Sequence, residues 1–125
     1  MNVVDSSAWL EYFTKGPNAR RFGPAIRDAV KLIVPTLSIY EVFRCVLRQR
    51  DEEMALRAVA AMHRGHVVLL SSSTAMLAAR LGLEHGLPLA EAVMLATARE
   101  HDAALWTQDG DFEGIEGVRF FRKRA

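Results

Sequence analysis

The feature that most constrains the fold is a set of short apolar runs that alternate with helical segments. The runs are NVV before Asp5, KLIVP, HVVLL, AALWTQ and VRFF. Short runs rich in β-branched and aromatic residues are typical of buried strands, and their alternation with helices is typical of a parallel sheet covered on both faces. The pattern therefore predicts an α/β sandwich with a central, mostly parallel sheet of about four to five strands.

Helical segments fill the spaces between these runs. SSAWLEYF is predicted to be a helix, and ARRFGPAIRDAV a helical piece with a break at Gly23-Pro24. TLSIYEVFRCVLRQRDEEMALRAVAAMHRG indicates two helices with a joint near Arg50-Asp51, and SSSTAMLAARLGLEHG a helix that stops at Gly86. LPLAEAVMLATARE is predicted to be an amphipathic helix. Since no linker divides these segments, we expect one domain over residues 1–125.

Length and composition limit the functional classes. Half of the 125 residues are hydrophobic, which is enough for one core. No apolar run approaches the roughly 18 residues that span a membrane, and the N-terminus lacks the pattern of a signal peptide. The single cysteine, Cys45, forms no internal disulfide, suits core packing and fits a reducing compartment. We therefore expect a cytoplasmic protein with no membrane association.

The charges are unevenly placed, although the formal net charge is only +1. Arg44 and Arg48 follow one predicted helix, and the chain ends in RFFRKRA. Basic patches of this kind suit a polyanion or an acidic protein partner. A solvated helix surface and a frayed tail are the simpler explanation of any one of these side chains.

Acidic side chains fall where this fold class builds its sites. Sites in open α/β sheets form beyond the carboxyl ends of the strands. Asp5 ends the first predicted strand, and Asp109 and Asp111 follow the fourth. Glu41 and Glu91 lie in early turns of the helices that follow the second strand and precede the fourth. We expect these acids to converge at one edge of the sheet.

Glu91 is the most unusual of these acids, because its neighbours on the helix surface are Met94, Leu95 and Ala98. A bare buried carboxylate is costly, so such a group becomes protonated, forms an ion pair or binds a metal. The helix macrodipole offers a structural explanation worth about 0.3–1 kcal/mol. A capping box does not, because Pro88 occupies the position of the capping hydroxyl. Each acid alone has a structural explanation, but the set together favours a site.

A cluster of carboxylates repels itself unless cations are present. Oxygen ligands without a cysteine or histidine motif favour Mg²⁺ or Mn²⁺, and Mg²⁺ commonly shares its shell with phosphate oxygens. This chemistry predicts metal-assisted phosphodiester hydrolysis. A phosphorylated receiver domain is disfavoured because adjacent acids after the first strand are absent, and an Asp-x-Asp phosphatase is disfavoured because Ser7 stands where the second Asp is needed.

Four segments resemble the PIN-domain ribonucleases in order and spacing: VVDSSAWLEYF, TLSIYEVFR, GLPLAEAVMLATA and LWTQDGDFEGI. The likeness is greatest to VapC-type toxins of toxin–antitoxin pairs, and it covers essentially the whole chain. It implies a PIN-like three-layer α/β/α sandwich and Mg²⁺- or Mn²⁺-dependent endonucleolytic cleavage of RNA, with a structured or single-stranded loop RNA such as tRNA as the substrate. It also implies homodimerisation and inhibition by a cognate VapB-type antitoxin.

The resemblance implies an acidic site that consists of Asp5, Glu41, Glu91 and Asp109. Asp5, Glu91 and Asp109 would bind the metal, while Glu41 would orient the nucleophilic water or bind a second ion. Three more residues would assist as an accessory acid or as polar groups that order the site: Asp111, Thr107 and Ser6.

Basic side chains are expected to steer the RNA backbone toward this site. The candidates are Arg44 and Arg48, with Arg20 or Arg21.

One position departs from the family pattern, because Glu91 stands where the family most often has Asp. Its longer side chain predicts a lower activity or a preference for Mn²⁺, since octahedral Mg²⁺ is demanding about geometry. Two alternatives stay open from the sequence. One is a PIN nuclease that acts in RNA processing, and the other is a catalytically silent module that binds RNA or a partner.

Overall fold

A computed structural model describes residues 1–124, in which strands and helices alternate along the chain. Ala125, the last residue of the predicted domain, lies outside the described residues. The strands are β1 (Asn2–Val4), β2 (Leu32–Pro35), β3 (His66–Val68), β4 (Ala104–Thr107) and β5 (Val118–Phe120). The helices are α1 (Ser6–Phe13), α2 (Ala19–Arg27), α3 (Thr36–Gln49), α4 (Glu52–Met62), α5 (Ser72–His85) and α6 (Leu89–Glu100). Two 3₁₀ turns, Ala29–Lys31 and Gly110–Phe112, precede β2 and follow β4.

The five strands form one sheet in the order β3-β2-β1-β4-β5, and every neighbouring pair is parallel. β1 lies at the centre, where Val3 pairs with Ile33 on one side and Leu105 on the other. The carboxyl ends of all five strands therefore meet at the same edge. This confirms the predicted α/β class and the parallel sheet.

Helices cover both faces of the sheet, because successive strand side chains point to opposite faces. Val4 and Val34 pack with α1, α2, α3 and α4, whereas Val3, Ile33 and Leu105 pack with α5 and α6. The two buried clusters on either side of the sheet confirm the three-layer α/β/α sandwich.

The prediction that α6 is amphipathic is wrong. Every residue from 92 to 98 is buried, because α6 packs against α5, α3 and strands β1, β2 and β4. The central part of the helix is therefore enclosed on all sides and has no solvent face to be polar, and only its ends, at Leu89, Arg99 and Glu100, are exposed. Glu91, in its first turn, is only partly buried.

The predicted break at Gly23-Pro24 is also wrong, because α2 continues through Pro24 to Arg27. Pro24 lies on the exposed side of the helix, while Phe22 and Ala25 on either side of it are buried. Packing of these neighbours holds the helical path, and the carbonyl that proline leaves without an N–H partner belongs to the exposed Arg20.

Two segments differ in extent from the sequence interpretation. β3 ends at Val68, and Leu69 and Leu70 are exposed beyond it, since β3 is an edge strand. The tail after β5 is held at two points rather than frayed: the N–H of Phe121 donates to the carbonyl of Thr107 at 2.9 Å, and Asn18 Nδ2 donates to the carbonyl of Arg122 at 3.0 Å. Within residues 1–124, no helix is long and apolar enough to cross a membrane.

Candidate active site

Four predicted acids meet at the carboxyl edge of the sheet. Asp5 follows β1, Asp109 follows β4, Glu41 lies in the second turn of α3 and Glu91 in the first turn of α6. Together they line a small cleft of about 70 Å³, beside Ser6. The cleft forms because β1 and β4 are neighbours in the sheet and α3 approaches α6 above them.

Asp5 is the most buried of these acids, with only 5% of its surface exposed. It is the N-cap of α1, where Oδ1 accepts from the backbone N–H of Ser7 at 2.5 Å. Oδ2 accepts from the Thr107 hydroxyl at 2.5 Å. Burial raises the pKa of Asp5 to about 6, although both hydrogen bonds act in the opposite direction. Asp5 is therefore a carboxylate whose negative charge is poorly compensated by the protein.

Thr107 joins the ends of β1 and β4. Besides donating to Asp5, its Oγ1 accepts from the backbone N–H of Asp109 at 2.9 Å. Asp109 Oδ1 in turn accepts from the backbone N–H of Asp111 at 2.9 Å, which begins the 3₁₀ turn over Gly110–Phe112. One chain of hydrogen bonds thus fixes two of the cleft carboxylates and the loop that carries a third acid.

The hydroxyl of Ser6 bonds to Glu41 and not to the neighbouring Asp5. This hydroxyl donates to Glu41 Oε1 at 2.6 Å, which links the first residue of α1 to α3. This bond occupies one oxygen of Glu41 and fixes the direction of the carboxylate at the rim of the cleft.

Glu91, Asp109 and Asp111 form a close group of acids, with one carboxylate oxygen of each within 4.8 Å of the others. Burial raises the pKa of Glu91, and the charges of Asp109, Glu41 and Asp111 raise it further. Asp5 lines the same cleft but does not belong to this group. Asp111, which the resemblance implied only as an accessory acid, belongs to this close group with Glu91 and Asp109.

The donor set fits a hard divalent cation. Each of these groups offers carboxylate oxygen, the ligand that Mg²⁺ and Mn²⁺ prefer. Within residues 1–124 the ion pairs are Arg57–Glu53, Arg122–Glu113 and His85–Glu84, so none neutralises the cleft acids. Burial raises the pKa values of Asp5 and Glu91, and the charges of neighbouring acids raise them further, so a bound cation would favour the charged form of both groups.

Arg44 and Arg48 lie exposed on α3. Among the described residues, neither forms an ion pair with an acid of the cleft. The structure therefore leaves both side chains free on the helix surface.

A buried polar network beside the site was not found from the sequence. Asn18 is fully buried, and its Nδ2 donates to Gln108 Oε1 at 3.0 Å. Glu11 accepts from the N–H of Asn18 at 2.7 Å and from Gln108 Nε2 at 3.3 Å. The network ties the loop after α1 to the residue between Thr107 and Asp109. The only sequence signal was a run of polar residues after the fourth apolar run, which did not distinguish Gln108 from a surface residue.

A parallel sheet in the order 3-2-1-4-5 with acids gathered at its carboxyl edge defines a class of α/β proteins in which strand ends and helix starts supply the site. The chain belongs to the PIN domain family, whose model matches residues 3–118. No curated protein sequence matches it.

Solved structures with the same fold include a toxin and a toxin–antitoxin complex. A toxin–antitoxin complex from Klebsiella pneumoniae is 23% identical with a TM-score of 0.83, covering 98% of this chain and 99% of that one. The sarcin–ricin loop cleaving toxin VapC20 of Mycobacterium tuberculosis is 17% identical with a TM-score of 0.77, covering 93% and 95%. DNA-bound VapBC from Salmonella typhimurium is 15% identical with a TM-score of 0.72, covering 97% and 96%. At these identities the likeness shows the fold.

Proposed function

We propose that this protein is a Mg²⁺- or Mn²⁺-dependent endoribonuclease and the toxin of a type II toxin–antitoxin pair, acting in the cytoplasm as a single PIN domain. The observation that carries the proposal is the convergence of Asp5, Glu41, Glu91 and Asp109 in one cleft at the carboxyl edge of the sheet. Four acids from four separate segments have no structural need to meet there, and their mutual repulsion disfavours the arrangement unless a cation binds.

Three of the acids are placed to bind a cation, and Asp5 is a carboxylate held in a fixed orientation in the cleft. Glu91, Asp109 and Asp111 are close enough to share one cation, and Asp5 is held at the base of the same cleft. A bound Mg²⁺ or Mn²⁺ would polarise the phosphodiester and lower the pKa of a water ligand. Asp5 keeps a fixed orientation because the Ser7 N–H and the Thr107 hydroxyl hold its two oxygens.

Glu41 is suited to handle the attacking water. Ser6 holds one of its oxygens, so the other is free to accept a hydrogen bond from the attacking water. The exposed arginines Arg44 and Arg48 follow Glu41 along α3, which is where an RNA backbone that crosses the cleft would meet positive charge.

The proposal of a toxin that cuts loop RNA rests on the neighbours. One of them is named a sarcin–ricin loop cleaving toxin, and another is a toxin–antitoxin complex. We infer a structured or single-stranded loop as the substrate here, because an unpaired strand can bring one phosphodiester to acids that line a cleft of only about 70 Å³ more readily than a duplex can.

A groove of about 410 Å³ beside α1, α3 and α4 is a suitable site for a VapB-type antitoxin. Its apolar lining includes Leu10 and Phe13, and its charged lining includes Arg50 and Arg57. Ser7 lines both this groove and the acidic cleft, so a peptide seated in the groove approaches the site. A peptide that binds in the groove and contacts Ser7 could therefore block the acidic cleft, which gives a physical route to inhibition.

Homodimerisation would cover an exposed apolar face on α5 and α6. A recess of about 310 Å³ is lined by small residues such as Ala79 and Gly82 and by Leu83 and Leu89, which are 90% and 78% exposed. Protruding leucines beside a recess make a self-complementary surface of the kind that a twofold dimer requires. Light scattering should give the mass of a dimer for the wild type and a lower mass for Leu83→Glu. The same mass for both proteins would overturn the proposed interface.

The nuclease activity is tested with purified protein and single-stranded RNA. We expect cleavage with Mg²⁺ or Mn²⁺, none with EDTA, and loss of about 100-fold or more in Asp109→Asn. The matched control is Asp102→Asn, an exposed acid before β4 at the opposite edge of the sheet. Asp102 has φ 50°, a conformation that Asn also adopts readily. Equal cleavage by wild type and Asp109→Asn would refute the assignment.

The toxin role is tested in cells. Induced expression should arrest growth, co-expression of the adjacent antitoxin gene should relieve the arrest, and Asp109→Asn should not arrest growth. Cleavage in vitro without growth arrest would instead favour a nuclease of RNA processing. Absence of both, with RNA binding retained, would favour a catalytically silent module.

A further inference from the structure

We propose that a basic surface formed by Arg21, Arg119, Arg122, Lys123 and Arg124 binds the RNA backbone beside the acidic cleft. We call it the C-terminal basic surface. The inference rests on the proposed nuclease function and deepens it, because it specifies where the substrate lies outside the cleft. It assigns a role to the RFFRKR segment, which the acidic site does not use.

Two of these arginines are fixed on aromatic rings. Arg119 lies over the ring of Trp106 with its guanidinium carbon 4.9 Å from the centroid, and Arg21 lies over Phe121 at 5.3 Å. The two rings stack with centroids 6.0 Å apart. These contacts connect Arg119 to Trp106, Trp106 to Phe121 and Phe121 to Arg21. Cation–π contacts engage the guanidinium face and leave its N–H donors available to phosphate oxygens.

The segment that carries the surface is held in place. The Phe121 N–H donates to the Thr107 carbonyl, and the Arg122 carbonyl accepts from the buried Asn18. Phe121 also packs edge-on against Phe22, with centroids 5.7 Å apart. These contacts order the segment before any ligand binds, and a surface that is ordered in advance loses less entropy on binding.

The surface adjoins the acidic cleft through Thr107. The hydroxyl of this residue contacts Asp5, and its carbonyl accepts from Phe121. β4 and β5 end at the same edge, where Phe121 bonds to Thr107 and Arg122 pairs with Glu113, the residue that follows the turn after Asp109. A strand of RNA that leaves the cleft on the β5 side therefore meets the basic surface next. A shallow cleft of about 410 Å³, lined by Arg21, Arg122 and their neighbours, lies there.

The positive charge of the C-terminal basic surface is mostly uncompensated. Within residues 1–124 the one ion pair formed by this set joins Arg122 to Glu113 at 3.3 Å, and both side chains are exposed. Because the whole chain carries a net charge of only +1, the surface is a local excess. A polyanion that extends from the site matches it. We favour RNA over an acidic peptide because arginines held on rings present several donors suited to phosphate.

The test is the binding of a short, fluorescently labelled single-stranded oligoribonucleotide in EDTA, where no cleavage occurs. Arg21→Gln/Arg119→Gln should weaken binding about tenfold and reduce the slope of log K against log salt by about 1.4, since each lost phosphate contact contributes about 0.7. Arg21→Lys/Arg119→Lys should keep most of the salt slope but not the full affinity. The matched control is Arg64→Gln/Arg80→Gln, which removes the same charge from exposed residues before β3 and on α5.

Circular dichroism and thermal melting establish whether each variant folds. If the loss of the stacked arginines unfolds the chain, Lys123→Gln/Arg124→Gln, which changes unstacked exposed residues, carries the test. Unchanged RNA affinity, or an equal loss in the Arg64/Arg80 control, would overturn the proposal. So would unchanged RNA affinity with weakened binding of poly-glutamate, which would indicate an acidic peptide. Failure of the wild type to cleave RNA with metal would instead refute the nuclease, since binding in EDTA does not depend on cleavage.

Discussion

Thr107 Oγ1 donates to Asp5 Oδ2 at 2.5 Å and accepts from the backbone N–H of Asp109 at 2.9 Å. One fully buried hydroxyl therefore fixes the acid that follows β1 and the acid that follows β4. Because the two strands are neighbours, this side chain sets the spacing between two of the cleft carboxylates. Its removal should disturb the site more than its small size suggests.

Thr107→Val keeps the shape of the side chain but removes the donor to Asp5 and the acceptor for Asp109. We expect the free energy of unfolding to fall by about 1–3 kcal/mol, as is usual when buried polar groups lose a partner. RNA cleavage should fall by about tenfold or more, and Thr107→Ser should recover most of both losses. Urea unfolding and cleavage rates measure the two effects. Wild-type cleavage in Thr107→Val would show that the bridge is dispensable.

Stability of the metal-free protein should depend on the protonation of Asp5. The pKa of Asp5 is about 6 in the folded chain and 3.8 in a model peptide, so the folded state holds this proton more tightly. The unfolding free energy contributed by Asp5 is complete below about pH 4 and is lost as the pH rises through about 6. Two pKa units correspond to about 3 kcal/mol.

Asp5→Asn should remove this pH dependence and make the metal-free protein more stable near neutral pH. Urea unfolding in EDTA at about pH 4 and about pH 7 measures the difference. The matched control is Asp28→Asn, which changes an exposed acid and should leave the pH dependence in place. A stability curve of Asp5→Asn parallel to that of the wild type would contradict the prediction.

Divalent cations should stabilise the folded state, because they bind the native cluster and not the unfolded chain. At a concentration 100 times the dissociation constant the gain is about 2.7 kcal/mol, seen as a higher Tm. The gain should be larger near neutral pH than in acid, since burial raises the pKa values of Asp5 and Glu91. Glu91→Gln and Asp109→Asn should reduce it. A Tm shift retained in both variants would place metal binding elsewhere.

Glu91→Asp tests the one departure from the family pattern. The longer Glu91 side chain moves the carboxylate by about one carbon–carbon bond, which octahedral Mg²⁺ tolerates poorly. We expect Glu91→Asp to cleave RNA faster in Mg²⁺ and to narrow the difference between Mg²⁺ and Mn²⁺, whereas Glu91→Gln should be slow in both. Cleavage rates in parallel metal titrations decide this. Identical rates for wild type and Glu91→Asp in both metals would remove the hypothesis.

The sequence predicted the layers of the fold well, because short β-branched runs and helical periods are local signals. It failed at Pro24 and α6, where packing decided the outcome. Pro24 is tolerated inside a helix because buried neighbours hold α2 in place, and α6 has no polar face because α5, α3 and the sheet enclose it. A local sequence pattern does not show how many other helices and strands will pack against a given helix.

The candidate acids were also local signals, since each follows a strand or begins a helix. By itself, the sequence determined the parallel sheet and the acidic residues near its carboxyl edge. Only the tertiary structure decided how they pair: Ser6 with Glu41, Thr107 with Asp5, Asp111 close to Glu91, and the C-terminal segment beside the site. These contacts join residues up to about a hundred positions apart, so they depend on strand order and helix packing, which no local pattern specifies.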